Sequence, residues 1–243
     1  MNRWLYAVHK WISAAAFVQL AIWTVTGLLF TLIQQASTES PPEEGAHRGV
    51  VSEAPPVSLD RAIAIASPTS GAIERIELRA TPAGLHYVVQ GVDARVRIDA
   101  RSGDLAKVTA SEAEATARRD QPGAPAVLST TLLEASPPVD YRECEGGDCP
   151  LPVFRVALGD ARATVVYVDA TTGEVVTRRN DRWRTYDFLW SLHIMDYRGR
   201  EDHNHWLIRA ASVLALLTVL SGMTLLALRA GRWLRRAAAR RTS

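Results

Sequence analysis

Three of the six histidines, His193, His203 and His205, stand within YDFLWSLHIMDYRGREDHNHWLI (186–208), beside Asp187, Asp196, Glu201 and Asp202. Imidazoles mixed with carboxylates suit borderline metals, or supply one axial nitrogen to a haem iron. His203 and His205 are the metal candidates; their spacing in EDHNH matches no closed zinc motif, and a solvated polar loop is the competing reading. His9 is the other histidine in a suggestive setting. At about 100° per residue it shares a helix face with Ser13, Ala16, Leu20, Trp23 and Gly27, a stripe that admits another helix or a flat ring. The alternative for His9 is an imidazole that packs at a membrane rim. His47, in a linker, and His86, in the strand-like LHYVVQ, read as solvated or structural.

The two cysteines, Cys144 and Cys149, bracket CEGGDC. Two glycines let so small a ring close, and an oxidising compartment favours a disulfide over a thiol pair or metal site. The spacing is not that of a thioredoxin-type redox motif. Asp99 and Asp169 form a matched acidic pair. Each precedes a glycine by four positions, the arrangement in which an Asp side chain holds a turn through backbone N–H groups, rather than a catalytic dyad.

These residues are positioned by two apolar runs. Residues 11–33 and 210–228 carry no charge, and each is near the roughly 20 residues that cross about 30 Å of hydrocarbon. The first is longer than the apolar core of a cleaved signal, so it reads as a retained anchor. Arg3 and Lys10 precede it, and Arg229, Arg232, Arg235, Arg236, Arg240 and Arg241 follow the second run without acidic neighbours. With Arg209 set apart at the start of the second run, the stretch between the runs holds all 26 Asp/Glu against 19 Lys/Arg, a net of −7. Positive charge stays inside, so both termini are expected in the cytoplasm and the middle outside, periplasmic in a bacterial inner membrane. The basic tail then faces anionic lipid, and no nucleic-acid partner is expected.

The middle contains a repeat. RVRIDARSGDL (95–105) aligns with VVYVDATTGEV (165–175) at an offset of 70, which indicates two copies of one small domain. In the first, Ser58 caps LDRAIAIA ahead of IERIELR, LHYVVQ and ARVRIDA. In the second, the same offset places STTLLEA in the helix position, ahead of a VFRVAL/TVVYVDA hairpin. The expected order is a cytoplasmic start (1–10), a first span (11–33), a linker (34–56), copy one (57–110), a linker (111–126), copy two (127–182), an interfacial segment (183–209), a second span (210–228) and a basic tail (229–243). Phe188, Leu189, Leu192 and Met195 follow helical spacing and suggest an interfacial helix. The fold class is α+β, membrane-anchored, with a tandem module of helix plus antiparallel strands between the spans.

The helix followed by these Asp-to-Gly turns resembles the PepSY domain. HKWISAAAFVQLAIWTVTGLLF and LWSLHIMDYRGREDHNHWLIRAASVLALLTVLSGMTLL resemble the opening and closing helices of the PepSY-associated membrane group. That resemblance implies iron or electron handling: some members are ferric-siderophore reductases with haem among four or more membrane helices, and others carry flavin reductase modules. His9 and His193 stand where the group's histidines stand, which implies haem b ligation by them. Two spans and no G-x-G-x-x-G leave this chain an accessory component rather than a reductase by itself, with a partner reductase or a homodimer supplying the rest. The rims holding His9 and His193 are about 30 Å apart, so one iron cannot take both from a single chain. The alternative is a non-catalytic module that holds a periplasmic protein or restrains a peptidase.

Overall fold

A computed structural model of the protein describes residues 3–33, 54–142, 144, 149–200 and 202–239. Most of the expected first linker, His47, residues 145–148 of the cysteine ring, Glu201 and the last four residues lie outside these. The described residues from 54 to 184 form one compact unit, and those up to 33 with those from 185 onward form another.

The first copy consists of α2 (Leu59–Ser70), β1 (Ile73–Thr81), β2 (Gly84–Gly91) and β3 (Arg95–Asp99), with α1 (Arg3–Leu32) preceding it in the chain. Ser58 accepts from the Arg61 N–H and caps α2. Ala62 and Ala66, one turn apart, are fully buried against Tyr87, Val89, Val96 and Ile98 of the antiparallel sheet β1-β2-β3.

The second copy differs from the sequence expectation. Its helix is α3 (Ala110–Asp120), inside the segment expected as a linker, while STTLLEA mostly forms the strand β4 (Val127–Leu133). Thr109 accepts from the Glu112 N–H, so it is the true counterpart of Ser58. The constant offset failed because 19 residues, 134–152, separate β4 from β5 (Val153–Leu158), where copy one has only residues 82–83 between β1 and β2. That insertion carries Cys144 and Cys149, whose Cα atoms are 5.2 Å apart with the sulfurs at disulfide distance. The sheet runs β4-β5-β6-β7, with β6 at Val165–Asp169 and β7 at Val175–Arg179. Ala113 and Ala117 cover one face with Phe154, Val156 and Val166, and Tyr141 and Cys144 from the insertion cover the other with Val153 and Tyr167. Burial on both faces explains why β6 reads as a nearly unbroken apolar run.

Both Asp-to-Gly turns have the expected form. Asp99 Oδ1 accepts from the N–H groups of Arg101 (2.7 Å) and Ser102 (2.9 Å), and Asp169 Oδ1 from those of Thr171 (2.6 Å) and Thr172 (2.9 Å). Gly103 and Gly173 follow at φ +84° and +79°, where a side chain would be strained. Asp169 also accepts from Arg95, and Arg79 pairs with Glu174, so ion pairs cross between the copies.

In the other unit α1 lies alongside α5 (Trp206–Ala239). Thirty and 34 helical residues extend about 45 and 51 Å, more than a hydrocarbon core requires. Phe17, Val18, Leu28, Leu216, Met223 and Leu226 are each more than half exposed, an arrangement that lipid stabilises and water does not. The chain is a membrane protein with two candidate spans among the described residues. Its α4 (Asp181–Ile194) continues from the second sheet, and residues Tyr186, Trp190 and His193 pack on Phe30 of α1.

Candidate functional site

His193 stands in the last turn of α4. Its ring is half-buried, stacked on Trp190 with centroids 6.2 Å apart and edge-on to Phe30 at 5.4 Å. Burial pushes the imidazole below its ordinary value, so the neutral ring is favoured. Nδ1 is 2.7 Å from the hydroxyl of Thr26, a buried residue whose Oγ1 is also 2.7 Å from the Ile22 carbonyl. Among the described residues Nε2 has no hydrogen-bond partner. Trp23 donates its indole N–H to the His193 carbonyl at 2.7 Å, satisfying one of the acceptors that every helix C-terminus leaves over. Met195 then ends the helix in the left-handed region, at φ +61°.

His9 is held in a parallel way on another pair of helices. Its Nδ1 is 2.8 Å from Ser221 Oγ, which also donates to the Thr218 carbonyl at 3.1 Å. Gly222 lets the ring lie against α5: a methyl group there would come within 3.1 Å of His9 Cε1. The Ser-Gly pair in the second span therefore serves the histidine of the first. Gly27, expected on the His9 face, meets nothing within 4 Å at its Cβ position. Ala211 and Ala215, small residues open to either α1 or a second copy, face α1. With Ala15, Ala16 and Ala210 they leave a groove of about 410 Å3 between α1 and α5, with Trp23 in its wall.

The structure does not bring the two imidazoles together. Thr26, which touches His193, stands 17 residues beyond His9 on α1, about 25 Å along the axis. His205 serves α4 instead: its Nε2 is 3.0 Å from the Ile194 carbonyl and donates to it. Asp196 accepts from the N–H groups of Arg198, Gly199 and Asp202 and folds the loop. His203 is exposed. Among the described residues no three His, Cys, Asp or Glu side chains gather as a metal ion requires, and Glu201 lies outside them.

An axial haem ligand must present a neutral imidazole with one nitrogen engaged and the other carrying a free lone pair. His193 fits this, with Thr26 at Nδ1 and no hydrogen-bond partner at Nε2 among the described residues, whereas at His9 Ser221 meets Nδ1 and Ser13 Oγ lies 3.5 Å from Nε2. The roles of Thr26, Phe30 and Ser221, which complete these settings, escaped the sequence reading. One polar residue in an apolar run does not reveal which helix it will face.

Outside the membrane helices a buried polar cluster joins the two copies. Arg97 of β3 donates from Nη2 to Glu112 Oε1 at 2.6 Å and from Nη1 to Oε2 at 3.0 Å, and Thr81 donates to the same carboxylate at 2.8 Å. His86 is 3% exposed, with Arg97 Nη2 2.9 Å from its Nδ1. Burial, and then the Arg97 charge, push this imidazole below its ordinary value.

No curated protein and no solved structure matches the chain. The PepSY-associated TM region, as a family model, matches residues 6–243. With two apolar spans flanking paired helix-and-sheet copies, the chain belongs to the family of the PepSY-associated TM region.

Proposed function

We propose that this protein is a haem-binding accessory component of iron or electron handling in a bacterial inner membrane, with both termini in the cytoplasm and the paired PepSY copies in the periplasm. His193 Nε2 would hold the haem iron, and His9 would provide a second site at the opposite rim, completed by another chain. The observation that carries this reading is the contact of His193 Nδ1 with Thr26 while Nε2 has no partner among the described residues, with burial favouring the neutral ring. Bound haem would supply one-electron chemistry. The chain's own residues hold the imidazole, shield it with Trp190 and Phe30, and keep the donor nitrogen unprotonated. The test is an absorption spectrum of the detergent-purified protein from haem-replete cells, oxidised and dithionite-reduced. A Soret band lost in His193→Ala, and diminished in His9→Ala, supports the proposal; a colourless, folded wild type refutes it.

A second reading is a non-catalytic periplasmic binding module. It is favoured by β4, an edge strand among the described residues, where Leu128 and Leu132 are 71% and 43% exposed. Co-purification of a periplasmic protein or peptidase that is lost in Leu128→Lys, together with an absence of haem, would favour that reading. Recovery of a flavin reductase or siderophore transporter would favour the first.

A further inference from the structure

We infer that Thr26 is a positioning residue that sets the tautomer of His193, keeping the ring proton on Nδ1 and leaving Nε2 as a bare lone pair. The tautomer assignment stands on hydrogen-bond geometry alone; only the identity of what Nε2 binds rests on the haem reading above.

Thr26 Oγ1 carries a single proton and lies 2.7 Å from two atoms, the Ile22 carbonyl oxygen and His193 Nδ1. A carbonyl oxygen can only accept. If the hydroxyl donates to Ile22, its oxygen is free to accept from Nδ1–H, and both short contacts become hydrogen bonds. The opposite arrangement sends the hydroxyl proton to Nδ1. Ile22 then loses the bond, and the ring proton moves to Nε2, where no described residue accepts it. The first arrangement makes one more hydrogen bond and strands no donor, which decides between them. Trp23 reinforces the choice by fixing the His193 backbone through its carbonyl, and Phe30 and Trp190 restrict ring rotation. His193 is half-buried, and no described residue hydrogen-bonds Nε2. Its chemical partner is an electron-pair acceptor of the haem-iron or borderline-metal class.

The experiment uses the full chain in nanodiscs at pH 8, labelled with 15N-histidine, with the His193 signals identified by their loss in His193→Gln. The expected result is a pyrrole-type shift for Nδ1 and a pyridine-type shift for Nε2. Thr26→Val, which removes the acceptor, moves the population toward Nε2–H, and Thr26→Ser restores the wild-type pattern. A wild type with Nε2 protonated overturns the inference, as does a folded Thr26→Val with unchanged shifts. Should Thr26→Val fail to fold, the wild-type and Thr26→Ser spectra still decide. Hemin titration of the same samples separates the two claims: about tenfold weaker binding in Thr26→Val than in Thr26→Ser is expected. If wild type binds no hemin while the shifts are as stated, the haem function falls and the tautomer assignment stands.

Discussion

At the scale of single residues, a buried ion pair links the two copies. Arg97 and Glu112 are nearly inaccessible, so removing one partner strands the other in a medium that solvates it poorly. Glu112→Ala is expected to cost about 3–5 kcal/mol in denaturant unfolding of the detergent-solubilised chain. The double replacement Arg97→Met with Glu112→Leu should recover most of that loss, and a double variant as unstable as Glu112→Ala would mean that the ion pair itself contributes the stability. His86 adds a pH dependence of definite sign. Its folded value lies below the ordinary 6.5, so the unfolded chain takes up the proton first as pH falls. The stability it contributes is fully present above about pH 6.5 and declines as the medium acidifies toward the lower folded value. Thermal midpoints measured from pH 7.5 downward should fall through this window, and His86→Gln should flatten the slope. A slope that survives the substitution would place its origin elsewhere.

At the scale of elements, α3 depends on Thr109 as α2 depends on Ser58. Thr109→Ala should destabilise by about 1 kcal/mol, read as a shifted denaturant midpoint with unchanged steepness. Stability unaffected by this change would mean that water replaces the cap without loss. The α1–α5 contact is sensitive to bulk at Gly222. Its hydrogen already faces the His9 ring, so Gly222→Leu forces the helices or the imidazole apart and should cost about 1–3 kcal/mol, measured as a lower midpoint of thermal unfolding in detergent. Gly27→Ala meets open space and should leave that midpoint unchanged, which makes it the control.

At the scale of the whole molecule, the charge distribution carries an expectation of its own. The basic ends and the acidic middle predict that alkaline phosphatase fused after Arg236 is inactive, whereas a green fluorescent protein fused at the same place is bright. The reverse pattern would invert the proposed placement of His9 and His193 relative to the two compartments.

Several features were legible in the sequence because they depend on neighbours along the chain. The spans follow from uninterrupted apolar runs, and the Asp99 and Asp169 turns follow from a side chain bonding to backbone two and three residues on. The likeness of the two copies followed from those turns. The location of the second helix did not, because an insertion displaced it from the repeat offset and the β-branched run of β4 was decided by its sheet neighbours. Nor could the sequence say which hydroxyl would meet which imidazole. His193 finds Thr26 across 167 residues and His9 finds Ser221 across 212, pairings that exist only once helices have packed. Local order was written in the chain, whereas donor nitrogens acquired their settings from tertiary packing, since hydrogen bonds between distant segments depend on how helices approach and not on the spacing of residues within them.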